Sequence, residues 1–229
     1  MNLIGIDPSL ISTAVCINGE LFNYCRESDV MGKKGMYKWY KLAEELVTYR
    51  YISYREYKDY TNSEITKMMD YSYVVDQIIK DIQENINPTE RTLIGIEGFS
   101  YGSMVGDLVD LVTFSTLLRK ELFDKISEDI IVVSPSTLKL ESCKMTYTPV
   151  NIGKTKEKLK HMNNEGIAGG NFTKREMYIS IIENSNWIDQ WHKHCLSIRG
   201  DILEGKKIPK PYEDVNDSYL LYKILETIK

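Results

Sequence analysis

Leu-Ile-Gly-Ile-Asp at 3–7 and Leu-Ile-Gly-Ile-Glu at 93–97 are almost the same pentapeptide, ninety residues apart. Each is a short apolar run holding one glycine and ending in a carboxylate. Beyond the pentamers the chain diverges: Pro-Ser-Leu-Ile-Ser follows Asp7, and Gly-Phe-Ser-Tyr-Gly follows Glu97. A hairpin pattern comes after the first and a helical pattern after the second. A duplication would carry its surroundings along, so two neighbouring parallel strands are the better reading, each delivering an acid to one sheet edge. In open α/β sheets the carboxyl ends of the strands are where sites form.

The surrounding pattern supports such a sheet. Ser-Thr-Ala-Val-Cys-Ile (12–17) and Glu-Leu-Phe-Asn-Tyr-Cys (20–25) flank Asn18-Gly19, the strongest short hairpin signal. The opening therefore reads as three antiparallel strands. From Ser63 to about Asn85, Ile65, Met68, Met69, Val75, Ile78, Ile79 and Ile82 recur at helical spacing, and Asn87-Pro88 closes the run. Residues 92–97 read as a buried strand, 104–123 as a second helix and 129–135 as a third buried strand. The segment from Asp214 reads as a last helix with Leu221, Ile224, Leu225 and Ile228 inward. Continuous apolar runs separated by helices point to parallel strands, so the class is an α/β sheet that opens with a meander.

With 42% hydrophobic and 27% charged residues, the 229-residue chain has enough apolar side chains for one large domain, 1–229. It has no apolar run of about eighteen residues, and Asp7 interrupts the start too early for a signal peptide. A cytoplasmic protein with no membrane partner is the expectation. Cys16, Cys25, Cys143 and Cys195 have no CxxC spacing, which argues against a disulfide scaffold or zinc ribbon. The net charge of −4 argues weakly against nucleic acid, although a local patch can override a global sum.

Acids are the notable group. Asp214 and Asp217 are three apart and share a face of the last helix. With Asp7 and Glu97 they make four carboxylates from two strand ends and one helix start. Such acids repel one another unless a cation neutralises them. Four could hold two magnesium ions about 4 Å apart, one activating water and one steadying a leaving oxygen. Three of the acids alone have ordinary explanations: Asp-Pro is a common turn, and first-turn acids such as Asp214 and Asp217 suit the helix dipole. Glu97 has none, since it ends an unbroken buried strand.

In these acids and the motifs around them, the chain resembles the RuvC-type Holliday junction resolvases of the RNase H-like nuclease superfamily. The resemblance rests on IGIDPSLISTAVCI (4–17), LIGIEGFSYGS (93–103), VVSPSTLK (132–139) and DVNDSYLLYKIL (214–225), which occur in the family's order. It covers about two thirds of the chain and looks closer to the divergent bacteriophage type, which would act in a bacterial host's cytoplasm. It implies an RNase H-like mixed five-stranded sheet, an antiparallel meander then parallel strands, flanked by helices, with insertions at about 30–60 and 185–212. It implies that Asp7, Glu97, Asp214 and Asp217 bind two Mg2+ ions, with Mn2+ substituting, and hydrolyse DNA at four-way or other branched junctions without a nucleotide cofactor. Cleavage of RNA–DNA hybrids and an inactive branched-DNA binder are the alternatives. Cutting two symmetric strands favours a homodimer. Two departures stand out: Ser9 replaces a glycine, and Ser100 stands where the family has its junction-probing aromatic, flanked by Phe99 and Tyr101.

Between 139 and 175 lie Lys139, Lys144, Lys154, Lys156, Lys158, Lys160, Lys174 and Arg175, against three acids. Such a patch suits phosphate contacts. Residues 37–60 hold seven of the sixteen tyrosines and Trp39, which suits stacking on unpaired bases, a dimer interface or plain packing. Thr148 stands where a Walker loop beginning there would need glycine, so Gly153-Lys154-Thr155 is not one. An actin-like or sugar-kinase ATPase needs a second phosphate loop and a repeated domain, both missing. His192, His194 and Cys195 lack a second cluster for zinc and read as an exposed loop.

Overall fold

A computed structural model describes residues 1–32, 34–56, 59–99, 105–153 and 158–228, the side chains of 34 and 105–107 excepted. Strands β1 (Asn2–Asp7), β2 (Ser12–Ile17) and β3 (Glu20–Arg26) form the expected meander. Asn18 and Gly19 take φ values of 52° and 95°, as a two-residue type I′ turn demands. Helices α1 (Glu27–Met31) and α2 (Lys34–Leu42) lead to β4 (Val47–Ile52). Then come α3 (Tyr60–Asn85), β5 (Thr92–Glu97), α4 (Val105–Lys125), β6 (Ile130–Val133) and α5 (Pro135–Thr146). A small hairpin, β7 (Pro149–Asn151) with β8 (Leu159–His161), precedes a 3-10 turn at Gly169–Asn171. Helices α6 (Lys174–Glu183), α7 (Gln190–Ser197), α8 (Arg199–Glu204) and α9 (Tyr212–Ile228) complete the described chain.

The main sheet runs β4-β3-β2-β1-β5-β6. β2 is antiparallel to both neighbours, and the other pairings are parallel. This is the expected mixed sheet, an antiparallel meander joined to parallel strands, with β4 as a sixth strand beside the expected five. β4 lies inside the tyrosine-rich stretch, where Val-Thr-Tyr-Arg-Tyr-Ile conceals a strand among residues that also suit a surface. Tyr40 is buried and packs on Tyr49, with ring centroids 5.1 Å apart, and Trp39 meets Tyr212 edge-on at 6.1 Å. Much of that stretch is therefore internal packing. Tyr57 lies outside the described residues.

Helices cover both faces of the sheet, which is why β1 and β5 read as unbroken apolar runs. Ile4, Ile6, Ile94 and Ile96 face α3 and α4, meeting Val75, Ile78, Phe114 and Leu118. On the other face Leu3 and Leu93 meet Leu225 of α9. Ala14 and Cys16 join Tyr212, Val215 and Leu221 there, together with Trp191 of α7. All four cysteines are free and buried. No described helix is long and apolar enough to cross a membrane.

Some burial expectations need correction. Ile65, Met68 and Met69 are exposed, because only the later turns of α3 reach the sheet. β6 is an edge strand with Val132 exposed, and Ile228 is exposed at the end of α9. His192, His194 and Cys195 sit on α7 rather than on an exposed loop. His192 and Cys195 are buried, and His194 Nε2 lies 2.9 Å from the Tyr212 hydroxyl. Burial lowers the His194 pKa.

Candidate metal centre

β1 and β5 pair in parallel with Gly5 opposite Gly95 and Ile6 opposite Ile96, so Asp7 and Glu97 end adjacent strands at one level. Alternation along a strand puts residues 3, 5 and 7 on one face and 4 and 6 on the other. Since Leu3 and Leu93 face α9, both acids face α9 as well. The glycines bring that helix in. A Cβ on Gly5 would stand 2.1 Å from the Ser218 carbonyl oxygen, so α9 lies directly on the backbone of β1. Asp217 is the residue before Ser218, and the close approach carries it to the acids at the strand ends.

Asp7, Glu97 and Asp217 each offer a carboxylate oxygen within 4.8 Å of the others. Asp7 and Asp217 are buried, and Glu97 is half-buried. Asp214, one turn earlier on α9, is buried nearby but stands outside that group of three. Its Oδ1 accepts a hydrogen bond from Lys210 Nζ at 2.5 Å. Burial, and then the charges of Glu97, Asp217 and Asp214, push the Asp7 carboxyl well above its ordinary range, while Lys174 opposes them. Burial likewise raises Asp217 to about 7, against the pull of Lys174.

Lys174 is the residue whose place the sequence does not announce. A capping box starts α6: the Thr173 amide donates to Glu176 Oε2 at 2.7 Å, and the Thr173 side chain accepts from the helix backbone. That sets Lys174 in the first helical position, where its Nζ donates to Asp217 Oδ2. Burial alone would lower its pKa, but Asp217, Asp7 and Glu97 outweigh that and raise it. Lys210 had a faint signal, since it stands four residues before Asp214, an ion-pair spacing.

Two ammonium groups do not balance four carboxylates. Oδ1 of Asp217 and Oδ2 of Asp214 are buried without a hydrogen-bond partner among the described residues. Leaving such an atom unpaired costs at least about 1–3 kcal/mol. An oxygen-only donor set with two uncompensated charges fits a hard divalent cation, so the residues present suit a divalent metal ion.

The remaining expected residues are spread out. Phe99 is half-buried; the Arg119 guanidinium lies 4.6 Å from its ring centre, and Arg119 Nη2 donates to the Glu97 carbonyl at 3.4 Å. Tyr101, Lys154 and Lys156 lie outside the described residues. Lys139 is half-buried on α5, and Lys144 pairs with Glu141 at 2.7 Å. Arg175 donates to the Gly205 carbonyl, and Lys158 and Lys160 are exposed at the small hairpin. The basic stretch therefore divides, with Lys174 inside the acid cluster and the hairpin lysines away from it.

No family model matches the chain, and no curated protein matches it. Among solved structures it is similar to Thermus thermophilus RuvC in complex with a Holliday junction substrate, at 8% identity and a TM-score of 0.47, covering 100% of this chain and 96% of that one. It is similar also to a second Thermus thermophilus RuvC structure, at 11% identity, with the same TM-score and the same coverage of both chains. Both of these structural neighbours are RuvC proteins.

Proposed function

We propose that the chain is a magnesium-dependent, structure-selective DNA endonuclease that resolves four-way or other branched junctions, acting as a homodimer. The observation that carries this reading is the meeting of Asp7, Glu97 and Asp217 from three separate elements, with buried carboxylate oxygens on Asp217 and Asp214 that have no hydrogen-bond partner among the described residues. These three residues would hold one divalent ion, and Asp214 would add its free oxygen for a second. Divalent ions bound there supply the Lewis-acid stabilisation that phosphodiester hydrolysis needs as charge builds on the phosphoryl oxygens. Mn2+ is expected to replace Mg2+, because both accept oxygen ligands.

The chain's own groups prepare the site. Lys174 occupies one oxygen of Asp217 and leaves the other for the centre, which fixes the carboxylate's orientation. Lys210 does the same for Asp214. Gly5 keeps α9 pressed against β1, so the separation of strand and helix acids is set by backbone contact. Lys139, Lys158 and Lys160 offer phosphate contacts that position DNA without reading it, and Phe99 or Tyr101 would enter the opened junction.

The test is cleavage of a synthetic four-way junction beside a matched linear duplex and an RNA–DNA hybrid, with magnesium or EDTA, for the wild type and Asp7→Asn. Paired symmetric nicks in the junction alone, lost with EDTA and in the variant, are expected. Binding without cutting would make the chain an architectural DNA-binder, and cutting of the hybrid alone would make it a ribonuclease H. Normal cutting by Asp7→Asn would show that the site is misplaced.

A further inference from the structure

At the same sheet edge, on the face opposite α9, an open cleft of about 840 Å³ lies between the turn that follows Asp7 and the starts of α3 and α4. Pro8 to Ile11 form one wall, so the cleft begins one residue from a candidate metal ligand. The segment after β4, which carries Tyr54, Arg55 and Glu56, forms another wall. Among the described residues its charges balance: Arg26, Arg55 and Lys67 stand against Glu56, Asp70 and Asp110. Arg55 pairs with Asp70 at 3.1 Å and Lys67 with Asp110 at 3.0 Å. A groove for the phosphate backbone would carry a surplus of cations; the described lining carries none.

It carries instead the means of holding a base. The Arg26 guanidinium lies 4.3 Å from the centre of the Tyr54 ring, and the Tyr54 hydroxyl donates to the Leu10 carbonyl at 3.2 Å. Aromatic rings and guanidinium planes are the surfaces on which unpaired bases stack. Arg26 Nε makes no hydrogen bond among the described residues and lies 3.9 Å from Asp29 Oδ2, an ion pair that holds the guanidinium in the cleft wall. Carboxylates beside guanidinium and ammonium groups supply the acceptors and donors that a base edge presents in return.

We propose that this cleft takes one unpaired nucleobase of the cut strand, next to the scissile phosphate, and that it sets base preference at the cut. The inference rests on the nuclease reading above for its substrate. A strand crossing the turn at 8–11 leaves its phosphate among the acids on one side and its base in the cleft on the other. Tyr54 and Arg26 form the stacking platform.

The experiment places a single abasic site at each position flanking the mapped cut in a four-way junction and measures cutting by wild type, Tyr54→Ala and Tyr54→Phe. One abasic position should slow the wild type about tenfold or more, the worth of one stacked base. Tyr54→Ala should cut intact DNA as slowly as wild type cuts that abasic substrate and lose nothing further on it, while Tyr54→Phe restores the difference. Arg55→Ala, on the exposed rim, gives the same readout should Tyr54→Ala not fold. Equal wild-type rates on every substrate, or a full abasic penalty retained in Tyr54→Ala, would overturn the cleft assignment and leave the nuclease reading standing. If wild type cuts no DNA, the nuclease reading fails by itself. A junction carrying 2-aminopurine then decides: a fluorescence change on binding that Tyr54→Ala lacks supports the cleft, and an equal change in both overturns it.

Discussion

Gly5 and Gly95 explain the repeated pentapeptide better than ancestry does. In each strand the glycine lies two residues before the acid and on the acid's face, which is where α9 crosses. The two positions are not equal, however. A Cβ at Gly5 would meet backbone, 2.1 Å from the Ser218 carbonyl oxygen and 2.6 Å from the Tyr222 nitrogen, whereas one at Gly95 would meet the Leu225 side chain at 3.3–3.4 Å. Backbone cannot step aside and a leucine tip can. Gly5→Ala is therefore expected to cost about 3 kcal/mol or more, at or beyond the upper end of overpacking, and to abolish cutting, because Asp217 leaves the acid cluster with the helix. Gly95→Ala should cost about 1 kcal/mol or less. Urea unfolding of the two variants checks the difference; equal costs would mean that α9 does not rest on β1 as described.

At the scale of elements, the strands and helices that surround the site were readable because their signals are local. Asn18-Gly19 demanded a turn, Asp7 and Glu97 ended apolar runs, and Asp214 and Asp217 shared a helix face. β4 was not readable, because its tyrosines and arginine suit an exposed segment equally well and only pairing with β3 makes them a strand. What secures β4 and β3 to α3 is Asp81, which accepts from the Tyr24 hydroxyl at 2.8 Å and from Arg50 at 2.7 and 3.0 Å. Burial opposes the charge on Asp81, and the hydrogen bonds from Arg50 and Tyr24 outweigh it, so its pKa is lowered. Asp81→Ala should destabilise the fold by about 2 kcal/mol at neutral pH, since it leaves a buried hydroxyl unpaired. A carboxyl with a depressed folded pKa contributes fully above its unfolded value of about 3.9. That contribution is lost as the pH falls through the folded value, so wild type and variant should converge in acid. Thermal unfolding from pH 3 to 7 checks this, and a deficit independent of pH would assign the loss to packing alone.

Over the whole molecule, the charge of −4 is an average that conceals how the charges are placed. Four acids are gathered at one sheet edge, and several cations lie elsewhere. Counting charge along the sequence found the basic stretch but could not divide it, because Lys174 and Lys160 look alike until the chain folds back through the capping box at Thr173. Lys174 enters the acid cluster at the start of α6. At that helix's far end, Glu183 accepts from the Tyr147 hydroxyl at 2.7 Å, and His161 of the small hairpin lies 2.9 Å from the Tyr147 carbonyl. The ten residues of α6 span about 15 Å, so Lys158 and Lys160 belong well away from the acids, and under the proposed function they would meet a duplex arm of the junction. Contacts of that kind act through counterion release, each contributing about 0.9 to the slope of log affinity against log salt. The double variant Lys158→Gln, Lys160→Gln should therefore lower that slope by about 2 and raise the junction concentration needed for half-maximal cutting. Affinity for four-way junctions, measured across a salt series with EDTA present, separates this from any effect on chemistry. An unchanged slope would take the hairpin off the DNA and leave phosphate positioning to α5 and the rim of the acid cluster.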